Sequence, residues 1–172
     1  MAGKIKTEFA YVSGISFPLV VLIGIVLISF SIDDALALHG LVHTPLGFLG
    51  ISIATIGAIY LLWCVFLFLT IGRGTPVPVR PPQKLVIIGP YKYVRNPIYI
   101  SEILILFGLS IYFGSASLLI LTFAAALFFH LVVIFFEEMS LERRYGEEFL
   151  KYKREVPRWI PKIKKLAERA QQ

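Results

Sequence analysis

Two ionisable side chains lie inside long apolar runs of the sequence. Glu102 stands one helical turn into one run, and His130 stands inside the next. Because charge at membrane depth is costly, such residues are functional candidates, and we predict catalytic roles for both as proton acceptors. The alternatives are that Glu102 only reaches the membrane interface and that His130 has a packing role. Neither residue has the second strong ligand that a metal site needs, so no metal is predicted.

A pair of glutamates, Glu137 and Glu138, follows the run that contains His130. His130 precedes Glu137 by seven residues, which places the two side chains on a similar helical face. Two adjacent carboxylates at a membrane boundary are destabilising unless a cation meets them. Arg95, Arg144 or a cationic ligand can supply that charge, and we predict catalytic roles for Glu138 and Arg144.

The connection between two of the apolar runs, residues 72–97, holds six of the ten prolines. Because proline fixes φ and removes a hydrogen-bond donor, this segment is predicted to be extended and non-helical. Pro97 suits the first turn of a following helix, with Asn96 as its N-cap. Since helix N-termini attract anions, one hypothesis is that the segment wraps a polar ligand there. The alternative is a simple helix cap beside a belt of interfacial tyrosines.

These residues must be positioned by four apolar segments, spanning roughly 9–32, 46–71, 98–113 and 115–136. The chain is 57% hydrophobic and only 16% charged, so it cannot form the charged shell of a soluble domain. We therefore predict an all-α membrane protein, a single domain over 1–172 with about four transmembrane helices. Only Gly114 and small neighbours separate the last two segments, which predicts a tight helical hairpin.

All 17 lysines and arginines lie before the first segment, in the 72–97 connection, or from residue 137 onward. With an even number of spans these regions lie on one side of the membrane. The positive-inside rule then places them, both termini and the active site in the cytoplasm. The basic excess is expected to meet membrane lipids rather than nucleic acid. The connection and the tail can therefore build one pocket between them.

The sequence from residue 137 onward, the C-terminal tail, indicates that the last membrane helix continues into the cytoplasm. A second short helix is predicted after Gly146. One apolar face is marked at helical spacing by Leu141, Tyr145, Phe149 and Tyr152. Residues 156–161, with two prolines, are expected to end the second helix, and Trp159 suits the headgroup zone.

The two polar segments together resemble the isoprenylcysteine carboxyl methyltransferase and phospholipid methyltransferase superfamily of integral membrane enzymes. The first match consists of Gly89, Tyr91, Lys92, Arg95, Asn96, Pro97 and Tyr99. The second consists of Glu137, Glu138, Leu141, Tyr145, Gly146, Glu147, Glu148, Phe149 and Tyr152, followed by 156–161. Both matches occur in order and flank a membrane hairpin. The resemblance covers residues 72–172 and implies that they form a catalytic, methyltransferase-like part. The first two predicted transmembrane helices, in 1–71, match the family only in hydropathy.

The resemblance implies methyl transfer from S-adenosylmethionine to a lipophilic acceptor that enters from the bilayer. It implies cofactor contacts at Gln83, Lys84, Leu85, Val86, Tyr91, Arg95, Asn96, Pro97, Ile98, Tyr99 and Glu137. The prenylcysteine branch carries a His where this sequence has Asn96. It carries an Arg, associated with the substrate carboxylate, where this sequence has Val133. The acceptor therefore stays open between prenylcysteine, a phospholipid, an amine and a thiol.

Two other classes of function also stay open. Membrane sterol-type reductases have a similar C-terminal arrangement and bind a reduced nicotinamide dinucleotide, NADPH, whose phosphates Arg95 and Arg144 can contact. A non-enzymatic scaffold or a small transporter is the other class. Transporters usually place polar residues mid-span and often contain repeats, and this sequence shows no clear repeat.

Overall fold

The computed structural model describes residues 2–38, 45–73 and 82–161, without the side chains of 2–18 and 45. These ranges contain helices and their connections but no strand, which confirms the all-α class for the described residues. The helices are α1 (Ala2–Ala35), α2 (Pro45–Leu67), α3 (Pro97–Phe113), α4 (Ala116–Val132), α5 (Glu138–Tyr145) and α6 (Glu147–Glu155). The π-helical turns Phe68–Gly72 and Val133–Glu137 follow α2 and α4, and the 3₁₀ turn Gly89–Lys92 precedes α3.

Among the described residues, two helical stretches have the length and composition needed to cross a membrane. They are Leu46–Gly72, with 27 residues, and Ala116–Tyr145, with 30 residues. At ~1.5 Å per residue, each exceeds the ~30 Å thickness of a hydrocarbon core. Their outer surfaces expose large apolar side chains such as Phe48 and Ile120, as expected of a lipid-facing protein. Helix α3 is apolar but shorter, as its sequence predicted, and the total of four spans stays a prediction.

A tight turn joins α3 to α4, which confirms the predicted helical hairpin. Gly114 adopts a left-handed conformation with φ of 63° and ends α3. Ser115 then caps α4, because its hydroxyl accepts a hydrogen bond from the backbone N–H of Leu118 at 3.0 Å. Asp33, at the end of α1, accepts hydrogen bonds from the Ser115 hydroxyl and from the Ser117 N–H. A carboxylate is stabilised at this helix N-terminus by the helix dipole, so α1 is fastened to α4.

Helices α2 and α3 approach closely because small residues line their contact. A Cβ atom on Gly108 would stand 2.4 Å from the backbone nitrogen of Ala54 and 2.6 Å from the carbonyl oxygen of Gly50. A Cβ atom on Gly50 would stand 2.6 Å from the Gly108 carbonyl oxygen. Small residues at such spacing let helix backbones pack directly in an apolar solvent, where burial of apolar surface provides little drive. This contact fixes the position of α3 and of the residues at its first turn.

Beyond the apolar part, α5 and α6 fold back against the connection that precedes α3. Gly146 has φ of 52° and separates the two helices, as the sequence predicted. The predicted apolar face is confirmed as one buried cluster that includes residues of the connection. The cluster contains Phe149, Tyr152 and Val156, with Leu85, Ile87, Leu141 and Tyr145 packed against it. Residues 74–81, the most proline-rich part of the connection, lie outside the described residues.

Candidate active site

Three hydrogen bonds tie the start of α3 to the C-terminal segment, defined here as residues 156–161. The Arg95 N–H donates to the Pro157 carbonyl at 2.9 Å, and the Arg95 side-chain Nε donates to the Val156 carbonyl at 3.0 Å. The Asn96 amide donates to the Arg158 carbonyl at 3.2 Å. Asn96 occupies the predicted N-cap position, but its side chain makes no capping hydrogen bond, because the amide is directed to the C-terminal segment.

Glu138 is the centre of an ionic cluster. Its carboxylate receives Arg95 Nη1 at 2.8 Å, Arg158 Nε at 2.6 Å and Lys153 Nζ at 3.1 Å. The Glu138 and Arg95 side chains are 8% and 9% exposed, so this pair is shielded from water. The hydrogen bond to Glu138 raises the pKa of the Arg158 guanidinium. Arg95 is therefore one of the cations that the glutamate pair was predicted to require, while Arg144 lies exposed on α5.

Glu137 has a different environment from its neighbour. Its Oε2 accepts a hydrogen bond from the Tyr99 hydroxyl at 2.9 Å, and the described residues give it no ion pair. The Tyr99 ring stacks on Phe129 with centroids 4.7 Å apart and lies 6.5 Å from the Trp159 ring. Glu137 is thus bonded to the hydroxyl of a stacked tyrosine and has no protein cation in the described part of the chain.

His130 and Glu102 lie near this aromatic group. The Trp159 indole N–H donates to His130 Nδ1 at 3.0 Å, with the two ring centroids 6.0 Å apart. Glu102 is 5% exposed, and its charge interacts with that of Glu137. His130 contacts Trp159 and Glu137 contacts Tyr99, and the Trp159 and Tyr99 rings lie 6.5 Å apart. The prediction that His130 and Glu137 share a helical face stays a prediction. No group of three or more metal-ligating side chains occurs among the described residues.

The remaining predicted contacts divide into buried and exposed residues. Val86 and Tyr91 are buried in a cluster with Cys64 and Leu67, where burial raises the pKa of the Tyr91 hydroxyl. That hydroxyl has no hydrogen-bond partner among the described atoms. Pro97 is buried at the first turn of α3, and Ile98 packs against the same cluster. Leu85 packs against α6, whereas Gln83 and Lys84 are exposed.

Sequence reasoning missed three residues of the C-terminal part that complete the site. They are Lys153 and Arg158, which bind Glu138, and Trp159, which was expected only in the headgroup zone. Arg158 and Trp159 are adjacent in sequence but contact different groups, and neither falls on the apolar face that marked α6. Their spacing from Glu138 follows no helical period, because Gly146 and the end of α6 intervene.

Comparison with known proteins finds a family match over part of the chain. Residues 74–148 match the sequence model of the phospholipid methyltransferase family. This family belongs to the isoprenylcysteine carboxyl methyltransferase-like group of membrane methyltransferases, so the resemblance predicted from the sequence is confirmed. No solved structure matches the chain significantly.

Two curated bacterial proteins are similar to this chain. The cobalt-zinc-cadmium resistance protein CzcN of Cupriavidus metallidurans is 30% identical over 118 residues, covering 69% of this chain and 49% of CzcN. The nickel-cobalt-cadmium resistance protein NccN of Alcaligenes xylosoxydans xylosoxydans is 29% identical over 117 residues, covering 68% of this chain and 49% of NccN. The chain thus spans about half the length of these curated relatives.

Proposed function

We propose that this protein transfers a methyl group from S-adenosylmethionine to a lipophilic acceptor at the cytoplasmic face of a membrane. The family match supports a membrane methyltransferase. The observation that carries the finer proposal is the contrast between Glu137 and Glu138. Glu138 is neutralised by three protein cations, whereas Glu137 accepts a hydrogen bond from the hydroxyl of Tyr99, whose ring lies beside those of Phe129 and Trp159. A site of this kind suits a cationic ligand.

The side chains around Glu137 fit the charged groups of S-adenosylmethionine, which carries a sulfonium, an ammonium and a carboxylate. Glu137 can pair the ammonium, and the faces of Tyr99 and Trp159 suit a cation. The first turn of α3 suits the carboxylate, because the Asn96 side chain leaves the N–H groups there to other partners. When bound, the cofactor supplies an electrophilic methyl group.

The chain's own residues position the acceptor and receive its proton. In a neutral imidazole, the nitrogen that accepts a hydrogen bond carries no proton, and the other nitrogen carries one. His130 can therefore accept a proton at Nδ1 only by losing its bond from Trp159. Glu102 has no such competing donor among the described contacts and is buried, so we favour Glu102 as the proton acceptor.

The charges at the site favour an acceptor that is not a carboxylate. Glu102 and Glu137 place two carboxyl groups in this region, while Arg95 is committed to Glu138. Val133, which stands where the prenylcysteine branch carries an arginine, is fully buried and apolar. A carboxylate acceptor would meet these carboxyl groups with no protein cation among the described contacts to offset them. We therefore favour a neutral amine or thiol on a lipophilic molecule, such as a phospholipid headgroup, over the prenylcysteine carboxylate.

The direct test is incubation of the purified protein with methyl-labelled S-adenosylmethionine and lipid extract, followed by mass analysis of labelled products. We expect label on a lipophilic amine or thiol. Calorimetric titration with S-adenosylmethionine and with NADPH separates the reductase alternative. Binding of NADPH without binding of S-adenosylmethionine would overturn the proposal, and absence of both would favour a scaffold. The role of Glu137 is tested by the variant Glu137→Gln. Its control is Glu142→Gln, because Glu142 is about half exposed on the adjoining helix.

A further inference from the structure

A groove of about 460 Å³ runs along the helix that leads from α4 into α5. Its described lining residues are Phe136, Met139, Ser140, Arg143 and Arg144. Counted from Phe136, the other four lie at i+3, i+4, i+7 and i+8, so all five share one face of the helix. Along this face the chemistry changes in order: apolar side chains lie nearer α4, a hydroxyl follows, and two guanidinium groups lie at the α5 end.

The groove is open, and its charge is not neutralised by the described part of the chain. Phe136 is 70% exposed and Met139 is 48% exposed, although both are large and apolar. Arg143 and Arg144 are exposed, and in the described ranges neither takes part in an ion pair. Arg144 interacts with the neighbouring Tyr145 hydroxyl, which leaves its positive charge in place. The face therefore combines a lipid-facing apolar surface with two free positive charges.

The dimensions of the helix place these two chemistries at different depths of a bilayer. The continuous helix Ala116–Tyr145 has 30 residues and is therefore ~45 Å long, compared with ~30 Å of hydrocarbon. Because α5 carries the charged residues Glu142, Arg143 and Arg144, we place the excess length at this end, beyond the hydrocarbon core. Arg143 is seven residues, or ~10 Å, beyond Phe136. Helical side chains lean toward the N-terminus, which here is the membrane side, so the arginines reach back toward the headgroup layer.

We propose that this groove binds an anionic phospholipid. Arg143 and Arg144 bind its phosphate, Ser140 offers a hydroxyl near the glycerol backbone, and Phe136 and Met139 contact an acyl chain. A soluble phosphate would use the arginines but would leave the apolar half of the groove in water. The proposal does not depend on methyl transfer. It gives Arg144 a lipid contact in place of the catalytic role predicted from the sequence.

The test measures binding of labelled phosphatidylglycerol and phosphatidylcholine, with equal acyl chains, to the full chain in detergent micelles. A basic residue near an anionic headgroup contributes about 1 kcal/mol. We therefore expect Arg143→Gln/Arg144→Gln to weaken phosphatidylglycerol binding about thirty-fold, and each single variant about five-fold. The matched control is Lys151→Gln/Arg154→Gln, which removes the same charge from exposed positions on α6 and leaves the groove intact.

Preferential phosphatidylglycerol binding that is lost in the groove variant and kept in the control supports the proposal. Equal binding of the two lipids would overturn it, as would an equal loss in the control variant, which would indicate a general charge effect. Glycerol phosphate, which lacks acyl chains, serves as the competitor that distinguishes a lipid from a soluble phosphate. Displacement of the lipid by glycerol phosphate at equal concentration would also overturn the proposal.

Discussion

Replacement of Glu138 by glutamine tests whether the ionic cluster holds the C-terminal segment against the start of α3. The change removes one charge from a carboxylate that binds Arg95, Arg158 and Lys153. Arg95 also donates to the Val156 carbonyl, so the cluster and the backbone contacts depend on the same side chain. We therefore expect Glu138→Gln to destabilise the contact between the C-terminal segment and the start of α3.

The size of the expected loss of stability follows from the burial of each partner of Glu138. The Arg95–Glu138 pair is less than one tenth exposed, and breaking a buried pair costs about 3–5 kcal/mol. Because glutamine keeps one hydrogen-bond acceptor, we expect Glu138→Gln to lower the free energy of unfolding by about 3 kcal/mol, the lower end of that range. The contacts from Arg158 and Lys153, which are 28% and 36% exposed, contribute less than about 1 kcal/mol each. For a chain of this size, 3 kcal/mol corresponds to a decrease in Tm of roughly 6–12 °C.

Cys64 provides the assay, because it is the only cysteine and is fully buried beside Val86 and Tyr91. A thiol-reactive fluorogenic dye therefore reports unfolding of the purified protein during heating. Glu142→Gln is the matched control, since Glu142 lies on the same helix and contacts Lys153 at 3.9 Å but is 47% exposed. We expect this control to change stability by less than about 1 kcal/mol. Equal melting temperatures for Glu138→Gln and Glu142→Gln would refute the assigned role of the cluster.

Three further predictions concern the site and its support. Glu137→Gln should weaken S-adenosylmethionine binding at least about ten-fold in calorimetry, the effect of losing ~1.4 kcal/mol, while stability stays unchanged. Gly108→Ala should destabilise the protein by more than about 1 kcal/mol, because the new Cβ would collide with the Ala54 backbone, and the thiol-reactive dye measures this in a melting experiment. Tyr152→Phe should destabilise by about 1–3 kcal/mol, since it removes the 2.7 Å bond to the buried Tyr91 carbonyl.

Each of these predictions has an outcome that contradicts it. If Glu137→Gln binds S-adenosylmethionine as tightly as the unmodified protein, the Glu137 carboxylate does not bind the cofactor. The control for Gly108 is Gly24→Ala, because a Cβ on Gly24 meets nothing within 4 Å and alanine favours a helix. If both alanine variants melt alike, the α2–α3 contact is not close-packed. If Tyr152→Phe melts like the unmodified protein, its hydroxyl makes no net contribution to stability.

Much of the fold could be predicted from the sequence because it depends on local properties. The apolar segments predicted α3 and the hairpin at Gly114, and helical spacing predicted the face that α5 and α6 bury. Pro97 predicted the start of α3 through its fixed φ. The position of Asn96 was also predicted, but its hydrogen bond was not. The Arg158 carbonyl, which accepts from the Asn96 amide, lies 62 residues away, and no local pattern shows which carbonyl an amide will select.

The sequence by itself determined the helical class, the segments long enough to enter a membrane, and the two polar segments that contribute to the candidate site. These follow from composition and period, which act over a few turns of chain. Only the tertiary structure decided how the two adjacent glutamates divide their roles. Glu138 meets Arg95, Arg158 and Lys153, while Glu137 meets the Tyr99 hydroxyl. The physical reason is that neighbouring residues on a helix point in different directions, so their partners depend on elements that pack there from distant parts of the chain.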